Sequence, residues 1–145
     1  MDLVPPSGPA GERVISTPLL KYGRVIFVTL IPSAGDPCVP GGDSWLMELD
    51  AVSGAAPSSS VFDFNNDGKF DNYDNVPGGS AAGVKSTVGI TKTPIWLDKD
   101  AGTGFKEMSG SSGDIMSLKN KGGGGTPPPV GGAGTFKRIY WMQIQ

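Results

Sequence analysis

Residues 63–74 read Asp63-Phe64-Asn65-Asn66-Asp67-Gly68-Lys69-Phe70-Asp71-Asn72-Tyr73-Asp74, with an oxygen-bearing side chain at nearly every second position of the first half. Asp63, Asn65, Asp67, Asp71 and Asp74 fall at positions one, three, five, nine and twelve of a twelve-residue calcium loop, and Gly68 falls at position six, where the chain must turn sharply around the ion. Lys69 is at position seven, whose ligand is a main-chain carbonyl, so its side chain is free to point to solvent. Without a cation, the carboxylates of Asp63, Asp67, Asp71 and Asp74 would repel one another and raise each other's pKa. Oxygen donors without imidazole or thiolate select calcium, and less well magnesium, over zinc or copper. Asp74 is one methylene shorter than the usual bidentate Glu, so its contact is the weakest part of the pattern. The alternative is an Asx-rich acidic turn that binds nothing. If calcium binds, the expected affinity is in the weaker range, ~10⁻⁶ to 10⁻³ M.

Other chemistries find little to stand on. Histidine is absent, which removes His-based acid–base catalysis, Ser-His-Asp and Cys-His nucleophiles and His-containing zinc or iron sites. Cys38 is the single cysteine, so no intrachain disulfide or multi-Cys metal site can form. It reads as a buried or loop thiol, or as a bridge to another chain. Asp98, Asp100 and Glu107 have no constraint that would fix a catalytic carboxylate spacing. Residues 122–125 are four glycines without the Lys-Ser/Thr of a phosphate loop. Trp45, Trp96 and Trp141 read as packing residues. No catalytic residue is assigned, and the chain reads as a non-enzyme. With 12 basic and 14 acidic side chains and a net charge of −2, no basic patch for nucleic acid is visible. The longest apolar run, residues 25–31, is far short of the ~20 residues of a membrane span. The first eleven residues lack the plan of a signal peptide, leaving an intracellular chain or a piece of a secreted one.

The elements that would position the loop are strands. Gly supplies 23 residues and Pro 13, about a quarter of the chain, the level at which composition starts to suggest low complexity. The apolar residues are clustered, however, which indicates an all-β scaffold with long irregular loops. Val25-Ile26-Phe27-Val28-Thr29-Leu30-Ile31 reads as a strand buried on both faces. A shorter strand is expected over residues 14–20, a third over 45–50 and a fourth at Ser60-Val61-Phe62, leading into the acidic loop. The second half repeats this layout with strands over 93–97, 104–108, 114–118 and 136–144, and a mobile Gly/Pro-rich excursion over 120–135.

Two four-stranded meanders in succession suggest part of a β-propeller of about two blades: residues 11–62, then an inserted EF-hand-like calcium loop at 63–76, then residues 84–145. A generic antiparallel sandwich is the alternative. Two blades leave a broad face of each bare, so the remainder of the propeller or other chains are expected to complete the packing.

Glu12-Arg13-Val14-Ile15-Ser16-Thr17-Pro18-Leu19-Leu20, then Gly23-Arg24-Val25-Ile26-Phe27-Val28-Thr29-Leu30-Ile31-Pro32, resembles the C-terminal propeller of the PilY1-type type IV pilus tip and assembly proteins. So do Asp36-Pro37-Cys38, the stretch from Gly41 to Asp50, the acidic loop that follows and the closing Arg138-Ile139-Tyr140-Trp141-Met142-Gln143. The resemblance implies a surface-exposed propeller module of pilus biogenesis, extracellular or at the outer membrane, with minor pilins or pilus subunits as partners. It also implies that calcium influences pilus extension, retraction and adhesion, with ligand roles at Asp63, Asn65, Asp67, Asp71 and the Lys69 carbonyl. The rivals are a fragment of a quinoprotein-type propeller dehydrogenase, whose repeat shares the first blade's layout, and a calcium-stabilised adhesin or carbohydrate-binding module unrelated to pili.

Overall fold

Two antiparallel sheets close on one apolar core. They were traced in a computed structural model that describes residues 11–33, 41–100 and 103–121. The first sheet is organised around β3 (Arg24–Pro32) and β4 (Gly42–Asp50), paired over nine residues from Arg24 opposite Asp50 to Pro32 opposite Gly42. β2 (Leu19–Lys21) reaches β3 through the two-residue turn Tyr22-Gly23. Both turn residues have positive φ, 53° and 70°, the backbone twist that matches a right-handed hairpin and that Gly23 adopts without a Cβ penalty. β1 (Arg13–Val14) pairs further along the same edge of β3, and β5 (Gly83–Lys85) closes the far edge against β4. The second sheet is a meander of β6 (Ile95–Asp100), β7 (Thr103–Ser109) and β8 (Ile115–Lys119).

The all-β expectation is met, with departures in detail. The strand expected over 14–20 is split into β1 and β2 around Pro18, which has no N–H to donate to β3. Ser60-Val61-Phe62 is not a strand. Its three residues are each 2% exposed, wedged into the core where an edge strand would bury alternate residues only. The fourth partner in the first sheet is instead β5, nine residues beyond the acidic loop. The strand expected to be buried on both faces, β3, has Ile26 and Val28 at 0% exposure on one face while Val25 and Phe27 on the other are half-covered. The strand expected over 136–144, the excursion over 120–135 beyond residue 121, and Cys38 lie outside the described residues.

Alternation along the strands decides what the sheets share. Ile26, Val28, Leu46, Met108 and Met116 project inward with Val61, Phe62, Ala81 and Val88 from the connecting segments, and Trp96 and Leu118 pack against them. Charge is buried with them. Lys106 of β7 donates to Glu48 of β4, both side chains fully buried, and Arg24 of β3 brings its Nε to 3.3 Å from the other Glu48 oxygen. The Lys106 ammonium also lies 4.7 Å from the centre of the Phe62 ring. On the outer face of the second sheet Ile95, Leu97, Phe105 and Ile115 are 41–68% exposed.

Candidate functional site

The acidic loop leaves the core at Phe62 and returns to it at Asp74. Phe62 is 2% exposed and its ring lies 5.8 Å from that of Phe64, so the first residue of the loop starts from a fixed point. Asp74, at 1% exposure, is the other fixed point. Its Oδ1 accepts from the N–H of Phe64 at 2.8 Å and of Asn65 at 3.3 Å, and its Oδ2 accepts from the N–H of Asp71 at 3.2 Å. A carboxylate so placed ties position twelve to positions two, three and nine. Three of its roughly four lone-pair sites are already taken by backbone donors. Asp71 is the N-cap of a single 3-10 turn, Asn72–Asp74, and accepts from the Tyr73 N–H at 2.9 Å.

Between those ends each alternate side chain turns the backbone locally. Asn65 Oδ1 accepts from the N–H of Asp67 at 3.0 Å, and Asp67 Oδ1 from that of Lys69 at 2.7 Å. These are Asx turns, in which a short polar side chain stands in for a backbone carbonyl. The first engages the single side-chain oxygen of Asn65, and the second uses one carboxylate oxygen of Asp67 and leaves the other for solvent or a ligand. The sharp bend comes at Asn66 and Gly68, with φ of 60° and 83°, a conformation that Asn tolerates and Gly adopts freely. Asp67, Gly68 and Lys69 are exposed and Asp71 is partly so.

Asp63 differs from the rest. Its side chain is 2% exposed. Oδ2 accepts from the Gly68 N–H at 3.0 Å and from the Lys119 ammonium at 2.8 Å, while Oδ1 is buried without a hydrogen-bond partner. Burial pushes the Asp63 carboxyl up, but the Lys119 and Gly68 hydrogen bonds outweigh it and hold the group below its ordinary value. A cleft of about 150 Å³ opens beside it, lined among others by Phe62, Asn66, Phe105, Ser117 and Lys119.

The loop therefore fits a hard cation in part. The donor set is all oxygen, and the orphaned Asp63 Oδ1 is a buried acceptor that a cation would satisfy. Against this, among the described residues no three Asp, Glu, Cys or His side chains converge as a metal centre, and Asp74 is committed to closing the loop. Lys119 was not reached by sequence reasoning. It lies 56 residues from Asp63, and no spacing rule connects a loop to a strand of another sheet.

Elsewhere the polar contacts are structural. Asp98 accepts from Lys21 at 2.6 Å, from Trp96 at 2.8 Å and from Tyr22 at 3.1 Å, joining the β2–β3 turn to the second sheet. The Lys21 hydrogen bond, against the upward push of burial, holds its carboxyl below the ordinary range. Among the described residues no helix is long and apolar enough to cross a membrane.

An all-β chain carrying an oxygen-rich loop anchored at both ends in the core is what the fold and site define. The chain is similar to two proteins of Xylella fastidiosa (strain Temecula1 / ATCC 700964), each named a type IV pilus biogenesis factor PilY1 homolog. One is 51% identical over 53 residues, 37% of this chain. The other is 28% identical over 147 aligned positions that take in 99% of it. The aligned regions span 4% and 11% of those proteins' own lengths. No protein-family model and no solved structure matches the chain.

Proposed function

We propose that the chain is a calcium-binding structural module of a type IV pilus biogenesis protein, part of a surface-exposed β-propeller in which calcium occupancy influences pilus extension, retraction and adhesion. The observation that carries the calcium reading is Asp63, a buried carboxylate with one oxygen unpartnered, at the head of a run of oxygen donors spaced by two. Asp63, Asn65, Asp67, Asp71 and the Lys69 carbonyl would hold the ion, and Asp74 holds the loop closed. Bound calcium would supply the positive charge that offsets the mutual repulsion of the carboxylates. The pilus reading rests on the similarity to the two named pilus biogenesis factors. The propeller reading draws support from the outer face of the second sheet, whose exposed Ile95, Leu97, Phe105 and Ile115 offer an apolar surface to a neighbouring blade.

The test is thermal unfolding in calcium and in chelator, beside calorimetric titration with calcium chloride. A ligand that binds only the folded chain at ~1 mM against a ~10 μM site adds roughly 2.7 kcal/mol. Asp67→Ala, which removes an exposed oxygen donor, is expected to abolish most of that gain. Identical melting in calcium and chelator, with no heat of binding, would defeat the calcium reading. For the pilus reading, the full-length protein carrying Asp63→Ala is expected to alter pilus extension or retraction in its own cell; unchanged pilus behaviour would count against it.

A further inference from the structure

We propose that Lys119 is a built-in competitor for the cation at Asp63, so that occupation of the loop by a divalent cation releases the end of β8 from it. This rests on the calcium reading above and adds its regulation. The Lys119 ammonium is 2.8 Å from Asp63 Oδ2 and 3.5 Å from the Asn66 carbonyl. A Cβ added at Gly68 would meet it at 3.6 Å, so the ammonium lies against the turn of the loop itself. It therefore stands where positive charge is called for, at an almost wholly buried loop carboxylate that keeps one oxygen unpartnered.

Asp63 cannot serve two cations equally. The lysine satisfies Oδ2, while Oδ1 is unpartnered. A divalent ion entering through Oδ1 brings like charge close to the ammonium, and the lysine, 38% exposed, has solvent to move into. β8 supplies Lys119 and is an edge strand of the second sheet among the described residues. Loop occupancy is thereby coupled to a sheet that none of the ligands belongs to.

The same contact lowers calcium affinity, because calcium must displace a charge-assisted hydrogen bond. Calorimetric titration of calcium chloride into the full chain and into Lys119→Gln is expected to show binding about two- to fivefold tighter in the variant, the range set by a partly exposed ion pair. Equal or weaker binding by a folded Lys119→Gln chain overturns the lysine's role and leaves the calcium reading standing. No binding by either chain overturns both. A second measurement does not depend on the variant folding: acetylation of the unaltered chain, read by mass spectrometry at Lys119 relative to the exposed Lys92. Calcium is expected to speed modification of Lys119 severalfold, and a rate unchanged by calcium in a chain that binds it overturns the proposal.

Discussion

Removing the anion and removing the cation of the buried charge cluster are predicted to have very different costs. Lys106 and Glu48 are fully buried and Arg24 is 10% exposed at its side chain, so the cluster holds two cations and one anion. Glu48→Gln leaves two buried positive charges facing each other with no counter-charge. Breaking a buried pair in this way costs about 3–5 kcal/mol, because the surviving charge is uncompensated. Lys106→Met leaves Glu48 with Arg24 at 3.3 Å, a neutral pair, and removes the desolvation cost of the ammonium. Its loss is then the hydrogen bond to Glu48 Oε1, which is left unsatisfied in the core, and the attraction to the Phe62 ring at 4.7 Å, about 1–3 kcal/mol net. Chemical denaturation of the two variants measures the difference, with an unchanged dependence on denaturant confirming that the folded states are comparable. A Lys106→Met chain as unstable as Glu48→Gln, or more so, would refute the charge count.

The same cluster fixes the sign of an alkaline pH effect. Burial pushes the Lys106 ammonium below its ordinary 10.5, against the upward pull of Glu48 and with a smaller downward push from Arg24. Between the lowered folded value and 10.5 the unfolded chain binds more protons than the folded one, so this group's contribution to stability rises with pH across that window. The rise should be steeper in Glu48→Gln, where the upward pull is gone. A stability that falls through this window in Glu48→Gln would contradict the assignment.

Three further outcomes are expected. Asp74→Ala strips an acceptor from three backbone N–H groups and should cost about 1–3 kcal/mol, with hydrogen exchange accelerated at Phe64, Asn65 and Asp71; unchanged exchange there would show that other groups close the loop. Asp98, held below 3.8 chiefly by Lys21, contributes stability that is present above 3.8 and lost as pH falls through its lowered folded value. Lys21→Met should therefore raise the Asp98 titration seen by NMR towards 3.8, and a midpoint that does not move would remove Lys21 as the cause. Gly23→Val puts a β-branched residue at a φ of 70° and should destabilise by roughly 1–2 kcal/mol, read from the denaturation midpoint.

What the sequence made legible was local. The run from Val25 to Ile31 is long and β-branched enough to declare a strand by itself, and Tyr22-Gly23 sits where a turn must be. The acidic loop declared its own internal turns, because Asx bonding acts over two residues. Ser60-Val61-Phe62 misled because three buried residues in a row have the composition of a strand, and composition does not say whether a segment pairs or plugs. β5 was missed because Gly83-Val84-Lys85 carries too little pattern to announce itself. It is a strand because β4 offers it an open edge. Asp74 read as a candidate ligand from its position, but its carboxylate faces three N–H groups whose directions depend on the closed loop.

Three buried or half-buried contacts lie between residues far apart in sequence, Glu48 with Lys106, Ser44 with Thr91, Asp63 with Lys119. Each was invisible to spacing: the first joins β4 to β7, the second β4 to the segment ahead of β6, and the third the acidic loop to β8. Of these three, Ser44 and Thr91 are neutral and buried, and Glu48 and Lys106 are sealed from solvent on all sides. Only the Asp63–Lys119 pair has one member in contact with water. An interaction sealed in the core is closed to exchange with ions of the solvent. One that reaches solvent is open to exchange with whatever cation the solvent carries, so a response to calcium falls on this pair and not on the core.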